Sequence, residues 1–152
     1  MRRYLQMRCS SRGGNAMLEF AISAAVILPV FVGTFQYGYT FFTYNKLESA
    51  IRGGARYASM RTYDSSTSTP SVAFSTAVKN MVVYGNSAGT GSPLAPHLDG
   101  SNVEVLPTMQ GAIPRFMTVR ITGYQLDAVF TTFSFNAKPS RTFAYTGTPS
   151  PL

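Results

Sequence analysis

Residues 12–35 read RGGNAMLEFAISAAVILPVFVGTF, and this stretch decides the architecture. From position 15 to position 35 it runs for 21 residues with Glu19 as the only ionisable side chain. At the rise of an α-helix such a run spans about 31 Å, enough to cross a hydrocarbon core of about 30 Å. Four arginines, Arg2, Arg3, Arg8 and Arg12, stand ahead of it with no acid among the first 14 residues, and no comparable cluster follows directly. The positive-inside bias therefore holds the N-terminus in the cytoplasm and sends the rest of the chain across the membrane.

The order of charge, glycine and apolar run carries the functional reading. A secretory signal peptide is cut after its apolar region, at small residues. Here the glycine pair ends the basic leader MRRYLQMRCSSRGG and precedes the apolar run. Cleavage after Gly14, on the cytoplasmic face, would leave the apolar helix on the mature protein with Asn15 as its new amine. Glu19 is then the fifth residue, and an isolated carboxylate at that depth costs a few kcal/mol. A neighbouring subunit's Asn15 ammonium could neutralise it, which would fix the axial register of stacked helices. In the other reading, Glu19 snorkels to the interface from an uncut bitopic anchor.

Outward from the apolar run, one helix is expected to continue to residue 61. Leu47, Ile51, Ala55 and Ala58 recur at helical spacing, and Glu48 lies four residues before Arg52. Pro29 removes a backbone donor and should kink this helix, while Gly53 and Gly54 mark bends or close packing. Beyond a Ser/Thr linker, residues 71–84 form an amphipathic helix with Ala73, Phe74, Ala77, Val78, Met81 and Val82 on one side and Val72, Thr76, Lys79 and Val83 on the other. Val103 with Val105, and Met117 with Val119 and Ile121, alternate as half-buried strands, with a third, weaker strand at 141–145. The stretch 124–135 reads as an apolar connector containing Leu126, Val129, Phe130 and Phe133, and the turn-rich segments 62–71 and 85–101 read as exposed connections. The fold class is α+β: a long hydrophobic N-terminal helix and a small head of one short helix and an antiparallel sheet. Its layout is a leader at 1–14, a helix at 15–61 with 15–35 as membrane or filament core, and a head at 62–152.

The constellation Gly14, Asn15, Glu19, Phe20 and Ala21 resembles the type IV prepilins, in which a peptidase cuts after glycine and glutamate is fifth in the mature chain. Leu28 with Pro29, the stretch Phe35, Gln36, Tyr37, Gly38, and the run Gly54, Ala55, Arg56, Tyr57, Ala58 make it similar to the TadE-like minor pilins or pseudopilins of tight-adherence (Tad) pilus systems. Relatives often carry an acid at the position of Gln36 and an arginine near that of Tyr39, so this chain departs from them there. The resemblance implies a filament of this subunit with itself or with other pilins. It also implies a prepilin peptidase, an inner-membrane platform and an assembly ATPase as partners. The expected route runs from the bacterial inner membrane to an extracellular pilus serving adhesion or surface attachment, with Glu19, Asn15 and Phe20 setting register and Pro29, Phe31 and Phe35 packing the filament core.

Other function classes find little support. The net charge is +7, but without the four leader arginines nine basic residues face six acidic ones, and these are scattered rather than gathered in a stripe. Nucleic-acid binding is therefore not expected as the main role. The single cysteine, Cys9, lies in the leader, so the mature head must hold by packing alone. His97 near Asp99 lacks further ligands for a metal or catalytic set, no cofactor motif occurs, and no nucleophile elbow or phosphate loop is present. No enzymatic activity is expected. The aromatics at 35, 37, 39, 41, 42 and 44 read as packing or interface residues in preference to a carbohydrate platform. The rival classes are an uncleaved bitopic envelope protein whose head binds a partner, and a pseudopilin of a secretion tip complex.

Overall fold

A computed structural model describes residues 12–128 and 131–148. Helix α1 runs Arg12–Met60, unbroken through Pro29, and α2 runs Val72–Tyr84. By its packing the chain divides into two units, one ending at Gly38 and the other beginning at Tyr39.

In the second unit Leu47, Ile51, Ala55 and Ala58 of α1 are all fully buried, as their spacing requires. Five strands follow: β1 Val103–Gln110, β2 Ile113–Ile121, β3 Tyr124–Asp127, β4 Thr132–Phe135 and β5 Ser140–Ala144. They form an antiparallel sheet in the order β1-β2-β5 and a separate β3-β4 hairpin. Val103, Val105, Met117, Val119 and Ile121 bury one face of the larger sheet in the same core as the α1 residues. The alternation in sequence is thus the alternation of the pleat. Glu48 of α1 forms an ion pair with Arg141 of β5 as well as with Arg52 at 3.5 Å, which fastens the far strand to the helix.

Helix α2 is capped at both ends. The Ser71 hydroxyl accepts from the Phe74 N–H, and Gly85 ends the helix in the left-handed region at φ 76. The two glycines of α1 have different roles. A Cβ on Gly54 would collide with Cγ2 of Val82, so α2 packs on α1 where a side chain is missing, whereas a Cβ on Gly53 would meet open space.

Three expectations are corrected. Val83 is buried, not on the polar side of α2, because the following loop folds back over it: Leu94 N–H donates to Val83 O at 2.8 Å, and Ala95 and Leu98 enter the core. The segment 85–101 is therefore part of the core wall, not only an exposed connection. The stretch 124–135 is a hairpin in which Tyr124 and Leu126 are buried and Phe135 lies 5.9 Å from both Tyr44 and Tyr124. Val129 and Phe130 lie outside the described residues.

The end of α1 is held by the distal part of the chain. The Thr146 and Gly147 amides both donate to Ser59 O, at 2.8 and 3.0 Å, which satisfies a carbonyl that the helix itself leaves unpaired. Beside it the Tyr145 hydroxyl accepts from the Tyr63 N–H at 2.9 Å and faces the carbonyls of Arg61 and Thr148 at 3.0 and 2.9 Å. Burial raises the phenols of Tyr63, Tyr124 and Tyr145 above the usual tyrosine value.

This packing makes three predictions. Gly54→Ala should destabilise the head by about 1–3 kcal/mol through overpacking, and Gly53→Ala should stabilise it by up to about 1 kcal/mol through helix propensity. Urea midpoints followed by near-UV circular dichroism in detergent check the opposite signs, and equal shifts would contradict the crossing at Gly54. For the tyrosines, the unfolded chain loses phenol protons at lower pH than the folded one. Their contribution is thus complete below about pH 10 and is lost as pH rises through the higher folded values. The urea midpoint should fall as the pH rises above about 10, and a flat profile would count against it. Tyr145→Phe should cost about 1–3 kcal/mol at neutral pH in the same assay.

Candidate assembly site

The first unit is built around the N-terminal part of α1. Met17, Leu18, Phe20, Ile22, Val26, Ile27, Leu28, Val30, Phe31 and Phe35 are each between 59% and 73% exposed, and the most apolar 18-residue window is 0% buried within the chain. A helix that is hydrophobic all round is stable only when something apolar covers it. At about 1.5–3 kcal/mol per large side chain, ten such residues gain on the order of 15–30 kcal/mol on leaving water, several times the cost of carrying one carboxylate with them. The helix is long and apolar enough to cross a membrane, which fits membrane anchoring.

Asn15, Leu18, Glu19, Ile22 and Ser23 line one shallow hollow on this helix. Asn15 and Glu19 stand one turn apart, both exposed, and no cation lies within ion-pair distance of Glu19 among the described residues. Gly14 is exposed, with open space where a Cβ would stand. Of the leader, residues 1–11 lie outside the described residues, Cys9 and three of its arginines among them. Thr34 donates its hydroxyl to Val30 O at 2.9 Å, so this polar group is satisfied within the helix and needs no water. Gln36 is only 8% exposed, while Phe31 and Phe35 are open on the surface.

The aromatic run divides by role. Tyr44 stacks against Phe135, the Lys46 ammonium lies 4.7 Å from the Phe42 ring centre, and Tyr37 and Phe41 remain exposed at 73% and 69%.

The His97 region is a hollow lined by His97, Asp99, Asn102, Gly123, Gln125 and Asp127. Asp99 serves there as a cap: it accepts from the Ser101 N–H at 2.6 Å, and Asn102 returns a bond to the Asp99 N–H at 3.2 Å. The bonds from Ser101 hold its carboxyl below the usual carboxylate range. Among the described residues no group of three or more His, Cys, Asp or Glu side chains could hold a metal ion. The ion pairs that sequence spacing did not reveal are those between strands and helix: Glu104 with Arg120 at 2.7 Å across β1 and β2, and Glu48 with Arg141. The β register brings Glu104 to Arg120, and the packing of β5 on α1 brings Arg141 to Glu48.

A membrane-length helix carrying a small α+β head is the layout of a protein anchored through its N-terminal helix. Residues 14–56 match the model of the TadE-like protein family, so this segment is TadE-like. The match covers α1 from Gly14 to Arg56 and leaves α2 and all five strands outside it. No curated protein and no solved structure matches the chain.

Placing a charge in the middle of the apolar run tests the anchoring role. Val26→Lys should reduce the insertion free energy by about 3 kcal/mol and move a large share of the protein into the carbonate-extractable fraction. Unchanged extraction would mean that another part of the chain holds the membrane.

Proposed function

We propose that this Tad-pilus-associated, pilin-like protein is a structural subunit, cleaved between Gly14 and Asn15 and assembled through α1 into a Tad-like pilus that serves attachment. The observation that carries the reading is Gly14 directly before Asn15 and Glu19, which share one helix face, at the start of an apolar segment left uncovered among the described residues. In the inner membrane lipid covers that segment, with the N-terminus cytoplasmic and the head outside. In the filament neighbouring helices would replace the lipid, burying Phe20, Phe31 and Phe35 and opposing Glu19 with the Asn15 ammonium of another subunit.

The TadE-like match to residues 14–56 supports this reading, and TadE-like pilins are structural proteins rather than enzymes. The peptidase, platform protein and ATPase enter as the machinery such a subunit needs. Glu19 is then a register device: an unpaired carboxylate in an apolar bundle is costly, so offsets that leave it unpaired are disfavoured by several kcal/mol.

Two measurements test this. Mass spectrometry of the protein from membranes should find a chain beginning at Asn15, and one beginning at Met1 would favour an uncleaved anchor. Glu19→Ala should insert normally but fall at least tenfold in sheared surface filaments, whereas normal filament yield would sink the register role.

A further inference from the structure

Beyond the N-terminal helix, the feature that the proposed assembly leaves unused is the free edge of β5. Ile121 N–H donates to Pro139 O at 3.1 Å and Tyr145 N–H to Arg115 O at 2.9 Å, so positions 139, 141, 143 and 145 face β2. The N–H and C=O groups of Ser140, Thr142 and Ala144 therefore point away from the sheet, where no strand pairs with them among the described residues. The opposite edge is blunted. Pro107 falls at an outward-facing position of β1, and a bulge between Thr108 and Met109 interrupts the line. The β5 strand has neither device.

At the Ala144 end of that edge lies a groove of about 600 Å³, walled by Arg52, Gly53, Arg56 and Met60 of α1 and by Phe143 and Ala144 of β5. Open space over Gly53 lets another backbone come close to the helix. Arg52 is 63% exposed and reaches only Glu48, which it shares with Arg141. The exposed Arg56 side chain has no hydrogen-bond or ion-pair partner among the described residues. The row of unused main-chain donors and acceptors on β5 therefore leads into a groove with an excess of guanidinium charge and a small apolar floor.

We infer that this groove receives an extended acidic peptide segment of a different protein, added to β5 as a further strand. Main-chain hydrogen bonds to Ser140, Thr142 and Ala144 supply the pairing, and carboxylates on alternate residues reach Arg52 and Arg56. A second copy of the head is a poor occupant, because each of its carboxylates is already engaged. Glu48 and Glu104 hold arginines, Asp64 accepts from Ser71 at 2.6 Å, Asp99 caps its turn, and Asp127 accepts from Thr132 at 3.1 Å. The inference does not depend on cleavage or on filament assembly.

The test uses the full chain, isotope-labelled in detergent micelles and titrated with the acetylated, amidated peptide Ser-Thr-Glu-Val-Glu-Thr-Ser, beside its counterpart with lysine for glutamate. The acidic peptide should shift the amide signals of Ser140, Thr142 and Ala144, and the basic one should not. The double variant Arg52→Ala, Arg56→Ala should weaken the acidic peptide at least tenfold. Ala144→Pro removes an outward N–H without touching the bonds to β2 and should weaken it too. If that variant fails to fold, the arginine pair, on the exposed face of α1, decides the matter. Equal binding of both peptides, no binding up to millimolar peptide, or shifts confined to the arginines with the β5 amides unmoved would overturn strand addition, the last by reducing the site to a patch for anions.

Discussion

Backbone amides and carbonyls find no water in a hydrocarbon core, so a chain that enters one must satisfy them within itself. The N-terminal helix meets that constraint with a single continuous element. Its first part is apolar on every side, and its second part narrows to a stripe of Leu47, Ile51, Ala55 and Ala58 that forms a wall of the head's core. One element thus obeys two solvents, and the rest of the chain is arranged around the second part. Glu48 recruits β5 through Arg141, Gly54 admits α2, and the carbonyl of Ser59 is finished by residues 146 and 147.

That last contact explains how a small head holds without a disulfide. Cys9 is the only cysteine in the sequence, so no intrachain bridge can close the head. Residues 145–148 return to the helix end by way of Tyr145, whose hydroxyl meets the Tyr63 amide and the carbonyls of Arg61 and Thr148, and Tyr63 packs edge-on against Phe74 at 5.3 Å between ring centres. The closure spans more than 80 residues of sequence and is made by hydrogen bonds to part-buried groups in place of a covalent clamp. Losing one partner there leaves a desolvated carbonyl or amide behind, which is why the segment matters beyond its few contacts.

What was legible in the sequence follows from the range of the interaction involved. The helix of the apolar run, the stripe at 47, 51, 55 and 58 and the alternation of β1 and β2 are local patterns, and they are visible as such. The β3–β4 hairpin was not, because Tyr124, Leu126, Phe133 and Phe135 flank a four-residue connection, 128–131, without a turn signature and read as one apolar run. The burial of Val83, Ala95 and Leu98 was hidden for another reason. A loop rich in Gly, Ser and Pro looks solvated until its return path over α2 is known. At the candidate site the residue types and spacing at Gly14, Asn15 and Glu19 were readable. Their exposure was not, since periodicity cannot separate a helix buried in its own fold from one left for other partners.

The two carboxylates of the N-terminal helix make the final distinction. Glu48 has two guanidiniums from its own chain and is spent on holding the head together. Glu19 is exposed, and no ion pair to it occurs among the described side chains. In a filament the cost of that charge in lipid would be returned by a partner outside the monomer. On the proposed reading that partner is the amine released at Asn15, one helical turn away in its own chain and in reach from a neighbour at a single offset. Processing and register would then be one event: until the leader is removed the matching cation does not exist, and an uncut subunit could not be accommodated in the stack.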